Sequence, residues 1–358
     1  MSVASVPSGS PTAALSAATG PTAASGSHPA SGSPLALVTG ASGFLGSHIV
    51  DELLRRGVRV RCLLRSTSSR RWLEGKPVEY AEGDVRDLSH LDAAVRGAHY
   101  IVHAAALTHA RTAAEFHEAN ARGTENIVAA AIRAGDGLQR FAYVSSQAAA
   151  GPSVDGAPVT EETTPRPVSP YGRSKLDGEA AVARAAGRIP VVTIRPPTVY
   201  GPREQSLYKY FRSVRFHFRP IPGKSRRFSI AYATDTARAI WEGMTRDRAV
   251  GEIYFLGGPD VTDYDEMGNA IVRAMKTWAI RVRIPVAALL AGALLGEMVG
   301  AVTRRAPYFS RDKFREITAG EWLVSSAKIR SQLGWTPEVS LEEGARLTAA
   351  WYREAGWV

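Results

Sequence analysis

The 358-residue chain contains a single cysteine, Cys62. An intramolecular disulfide is therefore impossible, a zinc site built on several cysteines is excluded, and a reducing compartment is the simplest setting. Acidic residues are scarce, with 34 Asp and Glu against 44 Lys and Arg, for a formal net charge of +10. Such an excess favours phosphates, acidic ligands or anionic lipid without choosing among them. Residues 1–34 lack charged side chains altogether and consist almost only of Ala, Ser, Gly, Pro and Thr. A segment with so little bulky apolar surface cannot offset the entropy of ordering, so it reads as a disordered tail. It also lacks the basic start and Leu-rich core of a secretory signal, and the arginines of a transit peptide.

The rest has the composition of a soluble globular protein, 45% hydrophobic and 22% charged, and is long enough for one large domain or two of ordinary size. An apolar run at 35–39 stops at Gly40, and a helical pattern follows at 44–54. Strand-like runs recur at 58–64, 78–80, 100–103, 141–145 and 191–194, separated by Ala-rich helical stretches such as 120–134 and 170–186. Strand and helix alternating at this spacing predict a parallel sheet covered by helices on both faces. A late strand at 253–256 ends at Gly257-Gly258.

Two later segments differ. Residues 203–227 carry eight Lys and Arg against Glu204 alone, interleaved with Tyr208, Tyr210, Phe211, Phe216 and Phe218, and read as a lid or a membrane-facing surface. Residues 284–302 are nearly uncharged and about long enough to span a membrane. Glu297, Pro285 and three glycines point instead to a helix packed in the protein or lying on a membrane surface.

Gly40-Ala41-Ser42-Gly43-Phe44-Leu45-Gly46 sets three glycines between the first strand and the first helix. A diphosphate needs unhindered N–H groups and the positive end of a helix dipole, which this context supplies. An NAD-type site usually has an acid at the end of the second strand. Here that place holds Leu64-Arg65-Ser66-Thr67, with Arg70 and Arg71 beyond, which suits a 2′-phosphate and favours NADP over NAD.

Tyr171 and Lys175 lie four apart behind Pro170, a residue suited to a helix's first turn, and so share one helix face. A tyrosine that works near pH 7 must lose about three pH units of proton affinity, or about 4 kcal/mol. One cation at about 4 Å and an effective dielectric near 20 supplies about that much. Lys175 is the cation available.

The assembled pattern resembles the extended short-chain dehydrogenase/reductases, within the NAD-dependent epimerase/dehydratase superfamily. It rests on Gly40–Gly46, His103–Ala106, Asn120–Asn126, Val144-Ser145-Ser146, Tyr171 with Lys175, Arg195–Pro202 and Leu333-Gly334-Trp335-Thr336-Pro337, and covers about 35–358. The resemblance implies an α/β, Rossmann-type doubly wound parallel sheet formed by 35–202 and 228–257. A smaller C-terminal substrate-binding lobe would comprise 203–227 and 258–358. It also implies that Ser146, twenty-five residues before Tyr171, holds the substrate oxygen, with Ser145 the lesser choice. Tyr171 would move the proton, and Lys175 would tune it and hold the nicotinamide ribose. Asp84 and Val85 would meet the adenine, Ala104 and Ala105 would line the cofactor, and Pro196 and Val199 would cover the nicotinamide.

The similarity is greatest to the branch of 3β-hydroxysteroid dehydrogenases and dihydroflavonol reductases, which implies a lipophilic alcohol or ketone as substrate. A nucleotide-sugar epimerase or reductase is the alternative, since the motifs are shared. A dehydratase would carry Asp-Glu where Gln147-Ala148 stands. A non-catalytic dinucleotide- or RNA-binding protein would suit the basic strip but not the retained Tyr171 and Lys175, so nucleic acid is not an expected partner. Where the family has Val-Asp-Asp, the chain has Ala233-Thr234-Asp235. His99, His103 and Cys62 read as structural, His109 and His117 lie near the expected substrate mouth, and no metal is expected. By the resemblance the protein would be cytoplasmic, with peripheral membrane contact through 284–302, and homodimeric.

Overall fold

The computed structural model describes residues 32–358, so the first 31 residues of the expected tail lie outside the described part. Twelve strands follow one another: β1 Leu35–Thr39, β2 Arg59–Leu64, β3 Val78–Glu82, β4 Tyr100–His103, β5 Arg140–Val144, β6 Val191–Arg195, β7 Thr198–Tyr200, β8 Phe218–Pro222, β9 Phe228–Tyr232, β10 Ile253–Phe255, β11 Val261–Thr262 and β12 Ile280–Ile284. Helices α1 Phe44–Arg55, α2 Leu91–Val95, α3 Ala113–Phe116, α4 Gly123–Arg133, α5 Gln147–Ala150 and α6 Pro170–Ala185 fill the first half. The second half holds α7 Ser206–Arg215, α8 Ala233–Thr245, α9 Tyr264–Met275, α10 Val286–Thr303, α11 Arg311–Thr318, α12 Ala327–Leu333 and α13 Leu341–Glu354.

Seven strands form a wholly parallel sheet in the order β10-β6-β5-β4-β1-β2-β3. Every residue of β1, β5 and β6 is buried, because helices cover both faces; such strands are mostly apolar rather than alternating. On one face Ile49, Val50 and Leu53 of α1 pack beside Ala237, Ile240 and Met244 of α8. On the other, Leu91 and Val95 of α2 meet Ile127 and Ala131 of α4 and Val182 of α6. Each such Leu, Ile, Val or Met side chain contributes about 2 kcal/mol by leaving water. The winding reverses between β1 and β4, so their carboxyl ends, Thr39 and His103, open a crevice between them.

Beyond the sheet, α7, α9 and α13 enclose a separate core around Phe211, Val214, Met267, Ile271, Ala349 and Tyr352. Strands β11, β9 and β7 form a small sheet, and β12 runs parallel to β8 in a two-stranded one. Asp235 joins the parts: its carboxylate accepts from Glu338 N (3.1 Å) and Val339 N (3.0 Å) and pairs with Arg238. Its own carbonyl accepts from Trp335 Nε1 at 3.1 Å. The acid that remains in Ala233-Thr234-Asp235 thus fastens the C-terminal signature to α8.

Two expectations differ from the structure. The helical pattern at 120–134 begins as a π-helical turn, His117–Arg122, before α4. The wider turn includes Asn120, whose amide bridges Leu107 and Ser174. Of residues 284–302, Ile284 ends β12 and the rest after Pro285 forms a helix, α10, but it is not packed inside the protein: 17% of it is buried. Leu289, Ala293 and Gly300 are buried, and Gly292, Gly296 and Gly300 lie against residues 305–309. Leu290, Leu294, Leu295, Met298, Val299 and Val302 are exposed.

Candidate active site

At the end of β1 the chain turns through Gly40 at φ +71°, where a Cβ would lie 2.7 Å from Ala105 N. A Cβ on Gly46 would lie 2.0 Å from Gly40 O, so the first turn of α1 can close on the loop only with glycine there. Gly43 caps α1 without a side-chain bond, and no acid occupies its first turn. Gly43 N closes the turn by donating to Gly40 O at 3.0 Å, and the N–H groups of Ser42, Phe44 and Leu45 with the helix dipole are left for an anion; a dinucleotide diphosphate fits them. His48 and Arg203 fasten this loop to the Arg195–Pro202 segment, through Pro202 O at 2.9 Å and Ser47 Oγ at 3.0 Å. Burial pushes His48 down to about 4, so it serves as a neutral strut.

Across the crevice, Ala104 and Ala105 follow β4, and Ala105 N donates to Thr39 Oγ1 at 3.1 Å. His103 bridges Thr39 (2.7 Å) and Thr124 (3.0 Å); burial lowers it to about 3. Leu35 N donates to the ring of His99 at 3.1 Å. Cys62 is buried in β2, its thiol pushed up to about 12 by desolvation. All three are structural.

At the residues expected to meet the adenine, Asp84 accepts from Arg86 N (2.9 Å) and from its guanidinium (2.6 Å), which holds the carboxyl below its ordinary range. Val85 is buried, and its carbonyl accepts from Asn126 Nδ2 at 2.9 Å. Arg65 is exposed at the end of β2, close enough for its charge to act on Asp84. Arg70 and Arg71 lie over the rings of Tyr80 and Trp72.

Helix α6, which carries Tyr171 and Lys175, starts cleanly: Pro170 is in its first turn, and Ser169 Oγ accepts from Gly172 N at 3.0 Å. This start sets Tyr171 beside the end of β5. There the two serines have different tasks. Ser145 Oγ donates to Glu179 at 2.5 Å, within a buried ion pair of Glu179 with Arg195 at 2.6 Å. Ser146 Oγ caps α5 by accepting from Ala148 N at 3.1 Å and reaches the Tyr171 phenol. Lys175, 1% exposed, donates to Val144 O at 2.8 Å and lies 4.3 Å from the centre of the Tyr143 ring. Burial lowers Lys175 to about 7, and Glu179 opposes the fall. Burial raises the Tyr171 phenol, while the Ser146 hydroxyl favours its ionised form. Gln147 N donates to the carbonyl of buried Pro196 at 2.8 Å, and Val199 is half-buried just beyond.

Phe116, Tyr308, Lys313 and Glu316 were not singled out by sequence, and Asn120 only as the start of the Asn120–Asn126 motif. Asn120 accepts from Leu107 N (2.7 Å) and donates to Leu107 O (3.0 Å) and Ser174 Oγ (3.0 Å), clamping the loop after β4 to α6. Tyr171 lines a narrow cleft that also touches His109, Phe116, Tyr308, Lys313 and Glu316. His109 stacks on Tyr308 with centroids 5.3 Å apart. His117 instead pairs with Asp177 at 3.4 Å, both exposed. The basic strip is dispersed: Arg203 pairs with Asp51 at 2.8 Å, Arg219 with Asp265 at 3.6 Å and Arg227 with Glu321 at 2.8 Å.

A doubly wound sheet with a glycine-lined anion cradle, and a Ser-Tyr-Lys set beside the same crevice, defines a nicotinamide-dependent oxidoreductase. The chain belongs to the NAD-dependent epimerase/dehydratase family, which it matches over residues 36–257, within the extended short-chain dehydrogenase/reductases. It is similar to a ceramide reductase of Caulobacter vibrioides, 30% identical over 90% of this chain and 95% of that one. It is also similar to human 3 beta-hydroxysteroid dehydrogenase type 7, 29% identical over 89% and 95% of the two chains. Among solved structures, dTDP-glucose 4,6-dehydratase from Streptomyces venezuelae, with NAD and TYD bound, superposes with TM-score 0.73 at 25% identity, over 90% of this chain and 98% of that one.

Proposed function

We propose that the protein transfers hydride between NADP(H) and a secondary alcohol or ketone on a lipophilic substrate of the sterol or ceramide kind. The observation that carries this reading is the exposed apolar helix α10, joined through residues 304–310 to α11, which borders the cleft at Tyr171. The similarity to a ceramide reductase and a hydroxysteroid dehydrogenase supports it. A sugar-nucleotide substrate would need free cations from the basic strip to hold its diphosphate. Of the eight, Arg203, Arg219 and Arg227 are already paired with carboxylates and so are not free for that task.

The nicotinamide would deliver the hydride to, or take it from, the carbinol carbon. In the reducing direction the carbonyl π electrons move to oxygen, and the phenol of Tyr171 gives that oxygen its proton. The Ser146 hydroxyl donates a hydrogen bond to the same oxygen. Lys175, one turn beyond Tyr171, supplies positive charge to the phenolate left behind, with Glu179 steadying the ammonium. Arg65, with no acid at the end of β2, favours the 2′-phosphate of NADP.

The reading also puts α10 on an anionic bilayer at the cytoplasmic side. Exposed Arg283 precedes the helix and Arg304 and Arg305 follow it, each worth about 1 kcal/mol near such a surface. The test is nicotinamide absorbance with detergent-dispersed hydroxysteroids, keto-lipids and UDP-sugars, offered with each cofactor. Net oxidation or reduction with a lipid is the expected result. Conversion of a UDP-sugar to its epimer without net absorbance change would overturn the reading.

A further inference from the structure

We infer that Lys313 and Glu316 of α11 are positioning residues of the active site that set, with opposite signs, how readily Tyr171 gives up its proton. The inference rests on the reading of Tyr171 as the proton-transfer group. Both side chains border the cleft that Tyr171 lines. They form an ion pair at 3.0 Å, and the other oxygen of Glu316 accepts from Ser169 Oγ at 2.6 Å. Ser169 is the residue that caps α6, two positions before Tyr171. The carbonyl of Glu316 in turn accepts from Trp322 Nε1 at 2.9 Å. The pair is therefore bolted to the start of the catalytic helix and cannot drift without disturbing it.

The other groups around the phenol do not replace this pair. Ser146 and Lys175 approach from the sheet side, and Lys175 spends a hydrogen bond on Val144 O. His109, on the loop after β4, is held low by burial and by Lys313 and Lys209, so it is neutral. Asp312 borders the same cleft, held above its ordinary range by burial, and Arg315 opposes that rise. Tyr264 of α9 acts on Lys313 from behind. The charges that reach the phenol of Tyr171 from across the cleft are those of Lys313, which favours ionisation, and Glu316, which opposes it. Lys313 is half-exposed, so solvent screens it and the effect is a fraction of that of a buried cation.

The test is an ultraviolet difference titration of tyrosinate, each protein measured against its own Tyr171→Phe counterpart, with NADP⁺ bound. Lys313→Met raises the Tyr171 midpoint by about half a pH unit, a threefold change in proton affinity, and Glu316→Gln lowers it by about as much. Lys313→Arg leaves it in place. Glu316→Gln keeps an acceptor for Ser169, so helix α6 retains its anchor and a shift reports charge. Shifts of the same sign in the two variants, or none in either, would overturn the inference. The titration needs no substrate. A protein that turned over no lipid alcohol would fail the functional reading and leave this result standing.

Discussion

Lys175 is seated at a thermodynamic cost that the catalytic role requires, and the cost is measurable as stability. Its fall from 10.5 to about 7 corresponds to about 5 kcal/mol, at about 1.4 kcal/mol per pH unit. Below about pH 7 the ammonium is charged in both folded and unfolded chains, and the full burial penalty applies. Between about 7 and 10.5 the unfolded chain keeps the proton and the folded one releases it, so this residue makes stability rise with pH. Above 10.5 it is neutral in both states. Lys175→Met removes the penalty but forfeits the hydrogen bond to Val144 O, worth about 1 kcal/mol. The cofactor-free variant should therefore be more stable than the wild type by about 3–4 kcal/mol at pH 6, or about 5 °C in Tm for a chain of this size. The gain should shrink steadily towards pH 10. Thermal unfolding followed by circular dichroism across that range checks it. A variant less stable at pH 6, or a gain that does not change with pH, would refute the reasoning.

Three further outcomes follow from the geometry. Tyr171→Phe should reduce turnover by about a hundredfold or more while leaving the cofactor dissociation constant nearly unchanged, as read by steady-state kinetics and fluorescence titration. Arg65→Asp should weaken NADP binding at least about tenfold, or about 1.4 kcal/mol, with little change for NAD; an equal loss for both would remove the 2′-phosphate role. Gly46→Ala places a Cβ 2.0 Å from Gly40 O, so the loop must open. Calorimetry should then show both cofactors bound at least about tenfold more weakly.

What could be read from sequence was local or periodic. The strand–glycine–helix junction at Gly40–Gly46 and the Tyr171–Lys175 spacing each lie within a dozen residues, and the buried strands are mostly apolar runs. Partnerships between distant segments were not legible. Nothing in the sequence distinguishes Lys313 and Glu316 from other charges of an amphipathic helix; the fold brings them some 140 residues back to Tyr171 and Ser169. The choice between Ser145 and Ser146 acquires its physical basis only when Ser145 is seen bound to Glu179. Asn120 sits in a π-turn whose extra residue leaves no signature in apolar spacing. Helix α10 is apolar all round, so its pattern could not say which side, if any, would be covered. The partners Phe309 and Pro307 come from the loop that follows it.

The most direct test of the central claim is the fate of a labelled hydride. Incubation with nicotinamide cofactor carrying deuterium at the transferable position, together with a long-chain keto-lipid, should place one deuterium on the carbinol carbon of the product. That label should vanish with Tyr171→Phe. Recovery of unlabelled lipid from the wild type, with a nucleotide sugar epimerised in a parallel reaction, would contradict the account.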